Sequence, residues 1–172
     1  MSLEMIRTFF EYDYWAFELV WERIEQLTDT QFTTDTGYSR GSIRNQVIHL
    51  ISSHRRWMQR LQGIPVNAHL VFGDFPTHAS VKAIWDKARV EFMAYIATLD
   101  PAQLDESIPY AFPARGIEAE SRRWELLLHI ANHATDHRAQ ILSMLATHFS
   151  IETPEQDLLF YLLESKYNHS IE

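Results

Sequence analysis

The chain has 172 residues, 46% of them hydrophobic, including five Trp, seven Tyr and ten Phe; that is enough for one domain with a real core over residues 1–172 and too apolar for disorder. A net charge of −8 excludes a nucleic-acid surface, which needs concentrated Lys and Arg. No apolar run approaches the ~20 residues that cross a bilayer and Met1–Phe10 carries no secretory pattern, so no membrane is expected and the expected location is cytoplasmic.

Cysteine is absent, which removes disulfides, thiolate metal sites and a cysteine nucleophile. In the first segment Leu3, Ile6, Phe10, Phe17, Val20, Ile24 and Leu27 recur in steps of three and four, with Asp13 in the missing position. Such a stripe puts apolar side chains on one helix face that other helices must cover. Leu27-Thr-Asp-Thr-Gln-Phe32 follows this helix and is echoed by Leu99-Asp-Pro-Ala-Gln-Leu104 later in the chain. The second stripe is Ile43, Val47, Leu50, Trp57 and Leu61, with His54 filling its gap. Gly41-Ser42 offers its N-cap, and Gly63 with Pro65 ends it. A third helix, carrying Val81, Trp85, Ala88, Phe92, Tyr95 and Leu99, opens at Pro76-Thr77 and closes at Asp100-Pro101.

Ser107–Glu120, with Pro109, Pro113 and Gly116 between short apolar runs, reads as a small hairpin or an irregular loop. The fourth helix carries Leu127, Ala131, Ala134, Ile141 and Leu145, and a short last helix is expected from an N-cap at Thr153 with Pro154 at its first position. The fold class is therefore all-α: a four-helix bundle with a short irregular or hairpin insertion before the fourth helix and a short C-terminal helix. Arg55, Arg56 and Arg60, and likewise Arg122 and Arg123, read as solvated faces.

Nine histidines are the first chemical clue. The fourth helix reads His129-Ile-Ala-Asn-His133-Ala-Thr-Asp-His137, and histidines four apart project from one face, so two imidazoles can reach one metal ion. A third comes from the second helix, where His49 sits in the apolar run Val47–Ile51; burial there is unfavourable unless something satisfies the ring. Histidines four apart also occur on ordinary solvated faces, and a histidine in an apolar run often hydrogen-bonds a backbone or hydroxyl group. His54 lies nearer the centre of the second stripe than His49 and is the alternative ligand, or a partner of one. Asp13 is either a surface residue on a frayed helix end or a buried carboxylate, catalytic as a general base or hydrogen-bonded to a ligand histidine. Asp136 pairs with Arg138 or solvent. No nucleophile turn or phosphate loop is present, and Ala134 stands where a metalloprotease helix carries glutamate.

Gly41-Ser-Ile-Arg-Asn-Gln-Val-Ile-His49 and His129-Ile-Ala-Asn-His133-Ala-Thr-Asp-His137-Arg-Ala-Gln-Ile141, with Tyr12-Asp-Tyr-Trp15-Ala16 in the opening helix, resemble the DinB/YfiT-like metal-binding bundles. The resemblance runs from about Phe9 to Leu163. It implies a metal held by His49, His133 and His137, with His129 outside the coordination sphere, and a homodimer. Related bundles include thiol transferases, which implies a small-molecule substrate and a low-molecular-weight thiol. Ala139 departs from the glycine often found between Arg and Gln, and Phe17 replaces an often polar residue. Three neutral imidazoles leave coordination positions open. Zinc and nickel lead among the ions such nitrogen ligands suit, followed by iron, copper and manganese. Two functions fit: a metal-dependent transferase or hydrolase, or a metal-binding bundle without turnover in stress response or partner binding. Ligand imidazoles must be deprotonated, so metal affinity should fall as pH drops through about 6.5.

Overall fold

A computed structural model describes residues 1–168. Four long helices carry the fold: α1 (Leu3–Ile24), α3 (Ile43–Leu61), α4 (His78–Ala97) and α5 (Arg123–Phe149). Between and after them lie a short α2 (Asp29–Thr33), the strands β1 (Ser107–Phe112) and β2 (Ile117–Arg122), and α6 (Leu158–Asn168). Ser2, Ser42 and Thr77 cap α1, α3 and α4, each side chain accepting an N–H from the first turn.

The repeated Leu-x-x-x-Gln motif is a repeated local structure. Thr28 with Gln31 and Asp100 with Gln103 form capping boxes that open single helical turns. In both, the leucine before the cap and the apolar residue four positions after it are buried: Leu27 with Phe32, and Leu99 with Leu104. That combination fixes how the chain leaves a long helix.

The contacts set the helix directions. Phe10 meets Phe92 while Phe17 meets Trp85, so α1 and α4 are antiparallel. His54 lies beside Trp85 and Phe92, and Leu61 beside Tyr95, so α3 and α4 are parallel. Asp13 meets Arg138 on α5 and Phe9 shares a cavity wall with Leu128, so α1 and α5 also run parallel. The bundle is up-down-down-up, and the connection of residues 62–77 makes the long crossover this order needs. Phe17 stacks on Trp85 with centroids 3.6 Å apart, and Phe10 tilts onto Phe92 at 4.7 Å. Phe17, 0% exposed, therefore belongs to the core.

The segment before α5 is an antiparallel hairpin pairing Ser107 with Arg122 through Phe112 with Ile117. Gly116, at φ 62°, turns the chain into β2. Arg123 is buried, not solvated as expected. Its guanidinium donates to the carbonyls of Leu61 (2.6 Å) and Gln103 (3.1 Å), to Glu106 Oε2 (2.6 Å) and to Tyr95 Oη. It ties the hairpin base to the ends of α3 and α4.

The last helix begins at Leu158, four residues beyond the expected Thr153-Pro154 start. Gln156 explains the delay: its carbonyl accepts from Tyr12 Oη (2.9 Å) and its side-chain oxygen from Arg138 Nε (3.1 Å), which ties the approach segment to α1 and α5. α6 then packs on α1, with Tyr161 against Tyr12 and Trp15 and with Glu164 accepting from Trp15 Nε1 at 3.0 Å.

Candidate metal centre

Helix α3 starts from a tight turn. Gly41, at φ 87°, bridges back to Tyr38, and a Cβ there would meet Asp35 Oδ1 at 3.2 Å. Ser42 then caps the helix, and Gln46 and His49, on one edge of its apolar stripe, face α5.

Helix α5 runs antiparallel to α3, since Gln46 meets His137 while Trp57 meets His129. His133 and His137, one turn apart, therefore come opposite His49. The three residues offer ring nitrogens that all lie within 4.8 Å of one another. His133 Nε2 and His137 Nε2 are 3.1 Å apart, close to the separation of about 3.3 Å that a tetrahedral ion with ~2.0–2.1 Å bonds imposes on its nitrogen ligands. The donor set, three imidazoles, fits a divalent transition ion.

A chain of amides orients the site. Asp136 Oδ2 can only accept, so the Gln140 amide nitrogen donates to it at 3.0 Å and Gln140 Oε1 is left to accept from Gln46 Nε2 at 2.6 Å. Gln46 Oε1 then faces His137 Nδ1 at 3.0 Å. That contact places the proton of neutral His137 on Nδ1 and leaves Nε2 bare, as a metal ligand requires. Asp136 thus joins the site through Gln140, and Arg138 is not its partner. Ser39 Oγ also donates to Gln140 Oε1, at 2.6 Å. Gln46 and Gln140 sit in the sequence motifs, but their roles become visible only when α3 and α5 meet.

Burial holds every imidazole of the cluster below the usual histidine value. His49 is lowered to about 3 and His133 to about 4, first by burial and then by neighbouring cationic groups; His137 is lowered for the same leading reason. Burial thus disfavours protonation of all three rings, so protons compete with a metal less well than they would at free imidazoles. His49 and His133 are half-buried, and the exposed Arg40 and His69 stand beside them, so the site is not sealed. His69 Nδ1 lies 3.0 Å from Ser52 Oγ, with its ring 6.2 Å from that of His49. It lies on the crossover, where no sequence pattern singled it out.

The other candidates lie apart. His54 is 3% exposed and packs beside Trp85 and Phe92, outside the three-histidine group. His129 sits one turn from His133, with its ring edge-on to Trp57 at 5.1 Å. Asp13 is 1% exposed, so it is the buried carboxylate rather than the frayed surface residue. Its hydrogen bond goes to the Arg138 guanidinium, not to a ligand histidine. Burial pushes its carboxyl up to about 6 against the opposing pull of Arg138. Asp13 also lines a cavity of about 280 Å³ with Phe9, Tyr12, Asn132 and Thr135, on a different flank of α5 from His133 and His137.

Among the described residues no helix is long and apolar enough to cross a membrane. No curated protein matches the chain. The model of the DinB family matches residues 1–148, which takes in the three convergent histidines and all of the long helices but the last residue of α5. The chain belongs to the DinB family.

Proposed function

We propose that the protein is a divalent-metal-dependent enzyme acting on a small molecule, as a thiol-dependent transferase or a metal-assisted hydrolase. The observation that supports this reading is the convergence of three ring nitrogens, from His49, His133 and His137, at a half-buried edge of the bundle. A bound ion would act there as a Lewis acid, lowering the pKa of a coordinated water or thiol. The protein's own part is to orient. Gln46 keeps the His137 proton on Nδ1, and Gln140 holds Gln46. Asp13 acts in this reading through Arg138, next to His137 in the chain, as a positioning residue for α5.

The test is elemental analysis of untagged protein, wild type and His133→Ala, followed by assays with thiols and electrophiles. About one equivalent of metal in the wild type and loss of it in the variant, with metal-dependent turnover, is the expected result. Metal without turnover across thiols and esters would support the non-catalytic metal-binding bundle instead. No metal after reconstitution with zinc and nickel would overturn both.

A further inference from the structure

Arg40 sits at the mouth of the three-histidine group. Its Nη2 lies 3.3 Å from His49 Nε2, and the residue itself is exposed. The turn that carries it is pinned on two sides. The Arg40 carbonyl accepts from Asn45 Nδ2 at 2.9 Å, and the preceding Ser39, in the left-handed region at φ 50°, donates its hydroxyl to Gln140 on α5 at 2.6 Å. The same Gln140 orients Gln46 and so His137. The turn that carries the guanidinium is therefore held by the framework that organises the ligands, and the guanidinium itself rests against His49.

The charges around this position are unbalanced. The convergent group contains three neutral imidazoles and no carboxylate, and the nearby Asp136 is engaged by Gln140. Among the described residues Arg40 forms no ion pair with a carboxylate. A divalent ion beside this guanidinium would leave about three positive charges facing the open side. Asp136, whose carboxylate acts on His133 and His137, offsets one of them, and an anionic incoming molecule would offset more.

We propose that Arg40 is a specificity-determining residue that selects a small molecule bearing a carboxylate in addition to the group that meets the metal. This rests on the three-histidine metal reading above. A charge-assisted hydrogen bond from a guanidinium to a carboxylate is among the stronger polar contacts, so its loss should weaken binding by about tenfold or more.

The test uses the full chain loaded with Co(II), as wild type, Arg40→Gln and Arg40→Lys, titrated with mercaptoacetate and with 2-mercaptoethanol and followed by cobalt absorbance. The expected result is that Arg40→Gln binds mercaptoacetate about tenfold more weakly while its affinity for 2-mercaptoethanol changes less than about twofold. Arg40→Lys should recover part of the loss. Comparing variants with the same thiol cancels the differing acidity of the two thiols. Equal changes for both thiols, or none, in proteins with a normal cobalt spectrum would overturn the role of Arg40 alone. Absence of a cobalt spectrum in the wild type would overturn the metal reading, and this inference with it.

Discussion

Replacing Asp13 by alanine removes the carboxylate facing Arg138 and leaves a guanidinium that is 1% exposed in the core. Removing one partner of a buried ion pair typically destabilises by ~3–5 kcal/mol, because the remaining charge stays desolvated. Arg138 keeps three other acceptors: Gln156 Oε1 at 3.1 Å, Thr135 Oγ1 at 3.1 Å and the Asp13 carbonyl at 3.4 Å. The effect should therefore fall at the lower end, about 3 kcal/mol. At roughly 2–4 °C per kcal/mol for a domain of this size, Tm should drop by about 6–12 °C. The assay is thermal unfolding followed by far-UV circular dichroism at pH 7. The double variant Asp13→Leu with Arg138→Met removes both charges and should recover most of the loss. A drop below about 2 °C for the single variant, or a double variant as unstable as the single one, would refute the reasoning. A general base at the metal predicts the opposite pattern for Asp13→Asn: lost turnover with unchanged Tm.

Gln46→Ala should weaken metal affinity by about 10–100-fold while leaving stoichiometry at saturation intact, as competition with a chromogenic chelator would show. Chelation of the metal should leave far-UV circular dichroism unchanged, because the core packs without the ion; collapse of the helical signal would make the ion structural. Acid should destabilise the metal-free protein. His54 and His49 are held near 3 and His133 near 4, against 6.5 when free, so unfolding takes up protons as pH falls from about 6.5 towards 3. This stability is fully present above pH 6.5 and is lost through that window. Asp13, raised to about 6 from 3.8, opposes the trend between those values. Urea unfolding at pH 7 and 4.5 should show a lower free energy at 4.5, and an equal or higher one would refute the balance.

Much of the bundle was legible in its apolar periodicity. The stripes of α1, α3, α4 and α5 mark the buried faces, and Ser42 and Thr77 begin the helices they were expected to cap. Local chemistry could not show what the tertiary fold decides. Thr153-Pro154 has the order of a helix start, but Gln156 is held by Tyr12 and Arg138, and the helix waits until Leu158. Arg123 reads as a surface cation because its four partners come from distant segments. The spacing of His133 and His137 was visible on one helix, whereas the amide chain through Gln46 and Gln140 crosses between two. Arg40 and His69 lie in connections, where periodicity carries no signal.

The position of His49 within α3 separates two kinds of site. His54, at the centre of the stripe, is 3% exposed, with Nε2 buried and without a hydrogen-bond partner among the described residues. A metal placed there would be enclosed by the core, as structural ions commonly are. His49 lies at the edge of the stripe, where one side of the ring faces α5 and the other faces the opening beside Arg40. The core does not need an ion to close, because Phe10, Phe17, Trp85 and Phe92 fill it from α1 and α4. An ion at the edge would therefore add to a core that is already packed, which is the arrangement an exchangeable, substrate-accessible metal would require.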